Sequence, residues 1–517
     1  MKRSWVFMKK RILALLLAIL MALPVMVTNT QTVSASVPSL TASVTSTNIL
    51  NLMYQYNRPV YSYMNTMKNA GYDLTTWYDS GEKLINGIET TAHEIFHNYT
   101  FYGRSGLSEK IYAGYGVSYT VDFTDLYTSG NLIETSKWAK NISSSLQTFR
   151  YDTYVSEGST CSSNVHGIYG LLNEFSAYFW GMSATDSLIP YYKTYDDSDP
   201  TIWIQYAKDM GNNMNAYAEF KFWILGYMNY LKSNYPTSYN AIISNKNFCN
   251  AYTAIETNYA NLIADVVDNV PALNVYLSSL NVSLDLTDEH FYLKNGNTYS
   301  GVKVEDYTTL MNYMSSKSYF ATIDNAIKSH ASTVAQPTIS SCLNKSNGIY
   351  LAWGKVTNAT GYIIYRSDND GRWTKVTTVT GTSYTDTAAT TNGRRYEYRI
   401  YAYKTSGSST IKSPCSPTVV KYRLNRPVIK SLASNSSGKV TLTRSVNSQA
   451  TGYNIRYSTD SSFGSYKTVT IGSSTTSKTI SGLTSGKTYY FKIRAYKTRG
   501  NTKSYSYWSA VKSIKVK

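Results

Sequence analysis

The sequence predicts a multidomain chain: a mainly α (α+β) module followed by two all-β sandwiches. Three observations predict it. Apolar residues recur at three- and four-residue steps over about Gly81 to Asn98, Val165 to Met182 and Thr201 to Asn234, the period of helices with a buried face. From Pro337 onward, β-branched and aromatic residues alternate between Gly/Ser/Asn turns, the period of strands. That second region also repeats: GIYLAWGKVTNATGYIIYR (348–366) aligns with GKVTLTRSVNSQATGYNIRYS (438–458), and GRRYEYRIYAYKTSG (393–407) with GKTYYFKIRAYKTRG (486–500). A repeat of about 91 residues suits a complete small domain rather than a solenoid unit.

Taken in order, the 517 residues divide at 1–35, 36–336, 337–423 and 424–517. The first stretch has a basic start (Lys2, Arg3, Lys9, Lys10, Arg11), an apolar core from Ile12 to Leu23 and a small-residue site, Val33-Ser34-Ala35. It reads as a secretory signal peptide removed after Ala35. No later apolar run reaches membrane-spanning length, so the mature chain is expected to be secreted, extracellular or loosely associated with a cell surface. Within 36–336, Ile85, Ile88, Ala92 and Ile95 form one helical stripe, and IYAGYGVSYTVDF (111–123) alternates like a strand. Asn164 is placed to cap the helix over Val165 to Met182, and Pro236 ends the helix begun at Thr201.

Charge separates the two regions. Residues 36–336 hold 17 Lys+Arg against 27 Asp+Glu, and residues 337–517 hold 28 against 5. A basic tail favours anionic cell-wall polymers, acidic glycans or anionic lipid; secretion argues against nucleic acid. The bland alternative is a solvated basic surface. The 50 tyrosines are aromatic platforms for glycans or a compositional habit. Cys161, Cys249, Cys342 and Cys415 lack C-x-x-C spacing, which excludes a cysteine metal cluster and leaves either two disulfides, one in each half, or four free thiols.

The chemistry sits in HEIFH. On a helix His93 and His97 lie on one face, one turn apart, and can offer two imidazole nitrogens to one Zn²⁺. Glu94 is placed to take a proton from the water that zinc activates. A catalytic zinc needs a third protein ligand. Thr100 and Gly103 stand where the longer H-E-x-x-H-x-x-G-x-x-H motif would need Gly and His, so that version is excluded. The candidate is Glu174 in VHGIYGLLNEFSAYFWG (165–181), beside Gly167 and Gly170, whose small size would let two helices approach. Tyr178 lies one turn beyond Glu174. His166, two turns before it, is an outside candidate for oxyanion stabilisation, while His290 and His330 carry no site reading.

These residues resemble the gluzincin metallopeptidases, which pair H-E-x-x-H with a glutamate on a later helix, often within Asn-Glu. The resemblance implies a zincin-like domain with His93, His97 and Glu174 as zinc ligands, Glu94 as general base and Asn173 as the residue before the ligand. Tyr178 stands where several members carry an aspartate; its hydroxyl can steady a ligand or stabilise the oxyanion, and the alternative is a core tyrosine. The long stretch from His97 to Glu174 implies a folded insertion. The tail resembles the fibronectin type III family: Trp353 matches its core tryptophan, Tyr396 and Tyr489 its tyrosine corner, and Arg444 replaces the tryptophan in the second copy. That implies two seven-stranded sandwiches; within the first, Cys342 near its start and Cys415 near its end can bridge if its two edge strands lie side by side.

The expectation is a secreted zinc peptidase whose partners are a peptide or protein substrate and, through the tail, an anionic cell-wall polymer or acidic glycan. The alternatives are a non-catalytic adhesin or glycan-binding protein, and a zinc hydrolase of non-peptide substrates.

Overall fold

The structure is a computed structural model. It describes residues 37–517 other than 105, 115–116, 196–198, 201, 332–333, 369–372, 407–408 and 500–501; the expected signal peptide, 1–35, lies outside the described residues. The chain forms two compact units, one ending at Thr333 and the other starting at Val334.

In the first unit the longer helices are α1 (Ser46–Tyr56), α2 (Arg58–Asn69), α3 (Ile88–Phe101), α4 (Ile168–Asp186), α5 (Ile202–Asn234), α6 (Pro236–Ser244), α7 (Lys246–Leu277), α8 (Glu305–Ser316) and α9 (Ser318–His330). Local chemistry sets several ends. Thr45 Oγ1 accepts from Asn48 N at the start of α1, and Asn57 Oδ1 accepts from Val60 N at the start of α2. Pro236 opens α6, where a missing N–H is harmless.

Nearly every residue of α4 is buried, so it is the central element, with α3, α5 and α7 packed against it. A helix that is apolar all round has no solvent face to keep. The axes of α3 and α4 come close at Gly181, where a Cβ would sit 2.7 Å from Glu89 Oε1 on α3. This corrects the sequence expectation: Gly170 lies instead against the turn at Ser162–Ser163.

Three more boundaries differ. The helix expected from Gly81 begins at Ile88, because residues 79–86 close their hydrogen bonds as turns (Glu82 N to Asp79 O, Asn86 N to Lys83 O). Asn164 does not cap α4. It sits in a separate turn, Ser162–Val165, where its Oδ1 accepts from Ser136 N; Gly167, at φ 56°, then starts α4 afresh. The strand expected over 111–123 is a hairpin, β1 (Ser108–Gly114) with β2 (Val117–Asp122), antiparallel with Ile111 opposite Tyr119. This hairpin and a series of short helical turns make up the insertion between His97 and Glu174. A meander of β3 (Val282–Leu286), β4 (His290–Asn295) and β5 (Thr298–Lys303) packs against α5.

Glu256 on α7 ties the helices together: Lys221 of α5 reaches it at 2.6 Å and Lys328 of α9 at 2.9 Å. Burial alone would raise this carboxyl, but the two ammonium groups outweigh it and hold it at about 2. A depressed carboxylate stabilises the fold above its unfolded value of about 4.3 and loses that contribution as pH falls through its folded value. The stability advantage of the wild type over Glu256→Gln, measured by urea unfolding, is therefore expected to shrink by roughly 2–3 kcal/mol between pH 6 and pH 2.

The second unit is two β-sandwiches. The first has β6 (Ile339–Lys345), β7 (Gly348–Trp353) and β10 (Ser383–Asp386) in one sheet, facing β8 (Gly361–Ser367), β9 (Trp373–Val379), β11 (Arg395–Ser406), β12 (Ser409–Lys412) and β13 (Val419–Tyr422). The second repeats this with β14 (Ile429–Ala433), β15 (Val440–Arg444) and β18 (Ser477–Ile480) facing β16 (Gly452–Ser458), β17 (Lys467–Gly472), β19 (Thr488–Arg499), β20 (Thr502–Tyr505) and β21 (Lys512–Lys515). The expected seventh strand is split in both copies. Its outward kink is held by serine hydroxyls that accept ladder N–H groups: Ser413 and Ser416 from Ala402 and Ile400, Ser506 and Ser509 from Ala495 and Ile493.

The tyrosine corners form as expected. Tyr396 and Tyr489 hydroxyls accept from Thr391 N and Thr484 N, each five residues upstream. Trp353 is buried against Tyr362, ring centroids 5.4 Å apart. In the second copy Arg444 keeps that place. Its guanidinium lies 3.4 Å over the Tyr453 ring and donates to Ser473 O at 2.7 Å, so a flat cation replaces a flat indole. No disulfide joins any of the four cysteines, so Cys342 and Cys415 are not bridged.

Candidate metal centre

His93 and His97 stand one turn apart on α3, facing Glu174 near the middle of α4. The two Nε2 atoms are 3.0 Å apart; Glu174 Oε2 is 3.5 Å from His93 Nε2 and 3.3 Å from His97 Nε2. A tetrahedral ion with donors 2.0–2.1 Å away spaces them about 3.3 Å apart. The donor triangle therefore has the size of one face of a zinc tetrahedron, and two imidazoles with a carboxylate are a zinc donor set. Glu174 Oε2 is also a buried acceptor with no hydrogen bond. A buried carboxylate oxygen in that state calls for positive charge.

The surroundings set the ligand tautomer. His97 Nδ1 donates to Asn173 Oδ1 at 2.6 Å, which leaves the Nε2 lone pair for the centre. Asn173 is itself held: its Nδ2 donates to Glu109 Oε2 on β1 at 2.9 Å and to Thr100 Oγ1 at 3.0 Å, while the Thr100 hydroxyl donates to His97 O. Burial pushes the Glu109 carboxyl up to about 8. Burial disfavours the His97 imidazolium, but the Glu174 carboxylate, joined by Glu94 and Asn173, raises it to about 9. Burial likewise opposes ionisation of Glu174, and the His97 and His93 imidazoles outweigh it, holding the carboxyl well below its ordinary value. At neutral pH a proton on His97 Nε2 therefore pairs with Glu174, and a metal ion must displace it to use that lone pair. His93, Glu94 and Glu174 are buried, whereas 18 % of the His97 side chain is exposed, so the centre meets solvent on the His97 side.

Tyr178 packs its ring 4.3 Å from that of His93. Its hydroxyl bonds Arg150 Nε at 3.1 Å and Tyr154 OH at 3.0 Å, and Arg150 is anchored by Glu219 at 2.8 Å. His166 is in the turn before α4, beside Phe123, and is not among the converging donors. His290 stacks on Tyr292, and His330 ends α9.

Sequence reasoning placed the three donors but not the bonds of Asn173, nor Thr100, Glu109, Arg150, Tyr154 and Glu219. Glu109, a lone acid in the strand SEKIYAG, was the one visible signal. Arg150 and Tyr154 come from the insertion, where no motif marks them. Removing a partner that orients a ligating imidazole weakens metal binding about 10–100-fold. Asn173→Ala is expected to lower zinc affinity by that factor, read by competition against a chromophoric chelator.

Fold and centre define a chain of two parts: a helical unit with a buried His–His–Glu centre, and a unit of β-sandwiches. The family described as Fibronectin type III domain matches residues 426–512, so the second sandwich is such a domain. No curated protein matches the chain. Similar solved structures include the FN1–FN3 domains of chicken CNTN1 (19 % identity, 36 % of this chain and 69 % of that one, TM-score 0.24). A two-domain fibronectin type III segment of chicken tenascin is also similar (18 % identity, 35 % of this chain and 99 % of that one, TM-score 0.20).

Proposed function

We propose that the helical unit is a zincin-like hydrolase of gluzincin type, a secreted zinc peptidase. The observation that carries this reading is the donor triangle of His93, His97 and Glu174, with the His97 tautomer set by Asn173. Zinc held there would supply a Lewis acid for a scissile carbonyl and for the attacking water.

The remaining roles fall to the chain. Glu94, directly after His93, takes the proton from the attacking water and passes it to the leaving amine. Tyr178 presents a phenol backed by the Arg150 charge, suited to stabilise an oxyanion. Asn173, Glu109 and Thr100 keep His97 in register. The basic sandwiches hold the enzyme to an anionic wall polymer or acidic glycan. Among the described residues no helix is long and apolar enough to cross a membrane.

The test is metal content followed by product analysis. The full chain, purified in zinc-containing buffer, is expected to carry about one zinc per molecule and to yield new amino termini from a peptide library. Protein that stays free of zinc would overturn the reading in favour of a non-catalytic adhesin. Zinc with no peptide cleavage, but with hydrolysis of esters or other amides, would move it to another hydrolase class.

A further inference from the structure

The second sandwich gathers unneutralised cations on one sheet face. From Leu424 onward the chain has sixteen lysines and arginines and one acid, Asp460. That carboxylate is committed to its own turn, accepting from Ser462 N, Ser462 Oγ and Gly464 N. Tyr453, Ile455, Phe491, Ile493 and Ala495 fill the core, so alternation puts Arg456, Lys492 and Arg494 on the outward face of β16 and β19. Arg456 pairs directly across from Lys492, and Arg494 follows two residues along the same strand.

All three lie over one indole: Trp508 is 4.8 Å from Arg456, 5.4 Å from Lys492 and 4.6 Å from Arg494. A further ring holds each: Tyr466, Phe463 and Tyr505, at 3.9, 3.9 and 3.7 Å. The Nε atoms of Arg456 and Arg494 are buried without a hydrogen-bond partner. Burial, and then the Arg456 charge, hold Lys492 and Arg494 below their ordinary values. Like charges about 5 Å apart across strands and about 7 Å apart along one repel unless an anion joins them.

The fold does not require this cluster. In the first sandwich the matching positions are Tyr365, Arg399 and Tyr401, one cation in place of three, and Arg366 there is neutralised by Asp386 and Asp368.

We propose that the Arg456–Lys492–Arg494 face around Trp508 is a binding site for a linear anionic polysaccharide, its sulfate or carboxylate groups bridging neighbouring cations. This rests on, and localises, the reading of the tail as an attachment module. The rings around the cluster already stack on cations, which compete with the base stacking that single-stranded nucleic acid uses. The adjoining outward residues, Asn454 and Tyr496, offer no aliphatic wedge for a bilayer.

The test compares the full chain with two triple variants of equal charge loss. One is Arg456→Gln with Lys492→Gln and Arg494→Gln. The control is Lys430→Gln with Lys439→Gln and Lys515→Gln, three exposed lysines away from the cluster. The probes are dextran sulfate, neutral dextran, single-stranded DNA and phosphatidylglycerol vesicles. The expected result is a loss of about tenfold or more in dextran sulfate affinity for the first variant and about threefold or less for the control, with the difference narrowing in high salt. Equal losses in both variants would overturn the site while leaving a diffuse basic tail. No dextran sulfate binding by the wild type would overturn both. Equal or tighter binding to DNA or vesicles would overturn the polysaccharide assignment. If the first variant fails to show a thermal transition like the wild type, the single change Lys492→Glu decides: a loss below about threefold overturns the site.

Discussion

Glu94→Gln is expected to abolish nearly all hydrolysis while leaving zinc in place. The substitution keeps the side chain's size on α3 and removes only its capacity to accept and return a proton. A positioned general base contributes about 10²–10⁴ in rate, equivalent to about 3–5 kcal/mol of barrier. Because Glu94 is not one of the three converging donors, zinc content should stay near that of the wild type. The measurement pairs kcat/KM on a cleaved peptide with metal analysis of the same preparation. The loss should lie in kcat, since the missing interaction is made during proton transfer. Full activity in the variant would remove Glu94 from the mechanism; lost zinc would show that its carboxylate supports the ligand set.

The second large effect concerns Glu174→Ala. It removes one of three donors from a buried centre and leaves His93 and His97 without their carboxylate. Loss of an orienting partner already weakens a metal site about 10–100-fold, so loss of a ligand should exceed about a hundredfold. Binding also stabilises the folded state, by about 4 kcal/mol when free zinc is a thousand times Kd. Zinc should therefore raise the wild-type unfolding temperature by several degrees and leave Glu174→Ala almost unmoved. Calorimetry with and without a chelator reads this directly. An equal rise in both proteins would identify a different third ligand.

Much of this molecule is legible in one dimension. HEIFH declares its geometry because a helical turn brings residues four apart onto one face, and that spacing survives any tertiary context. The repeat in the tail is likewise local: Tyr396 and Tyr489 sit at equal offsets within their strands and make equal bonds. Glu174 was readable only with help, from the NEFSAY context rather than from any fixed distance to His97.

The remainder depends on packing between distant segments. Gly181 admits α3 and Gly170 admits a turn, and nothing in their neighbours' identities distinguishes them. The break at Gly167 is a backbone conformation, so Asn164, a good cap by type, ended up bonding Ser136 instead. Asn173 meets Glu109 across 64 residues, and Arg150 meets Glu219 across 69. Residue types and short spacings settled which groups could carry chemistry, because those are properties of the side chain and the helical or strand repeat. Which groups support them, and in which tautomer, was settled by burial, since a partner brought in from far along the chain gains its influence only once water is gone.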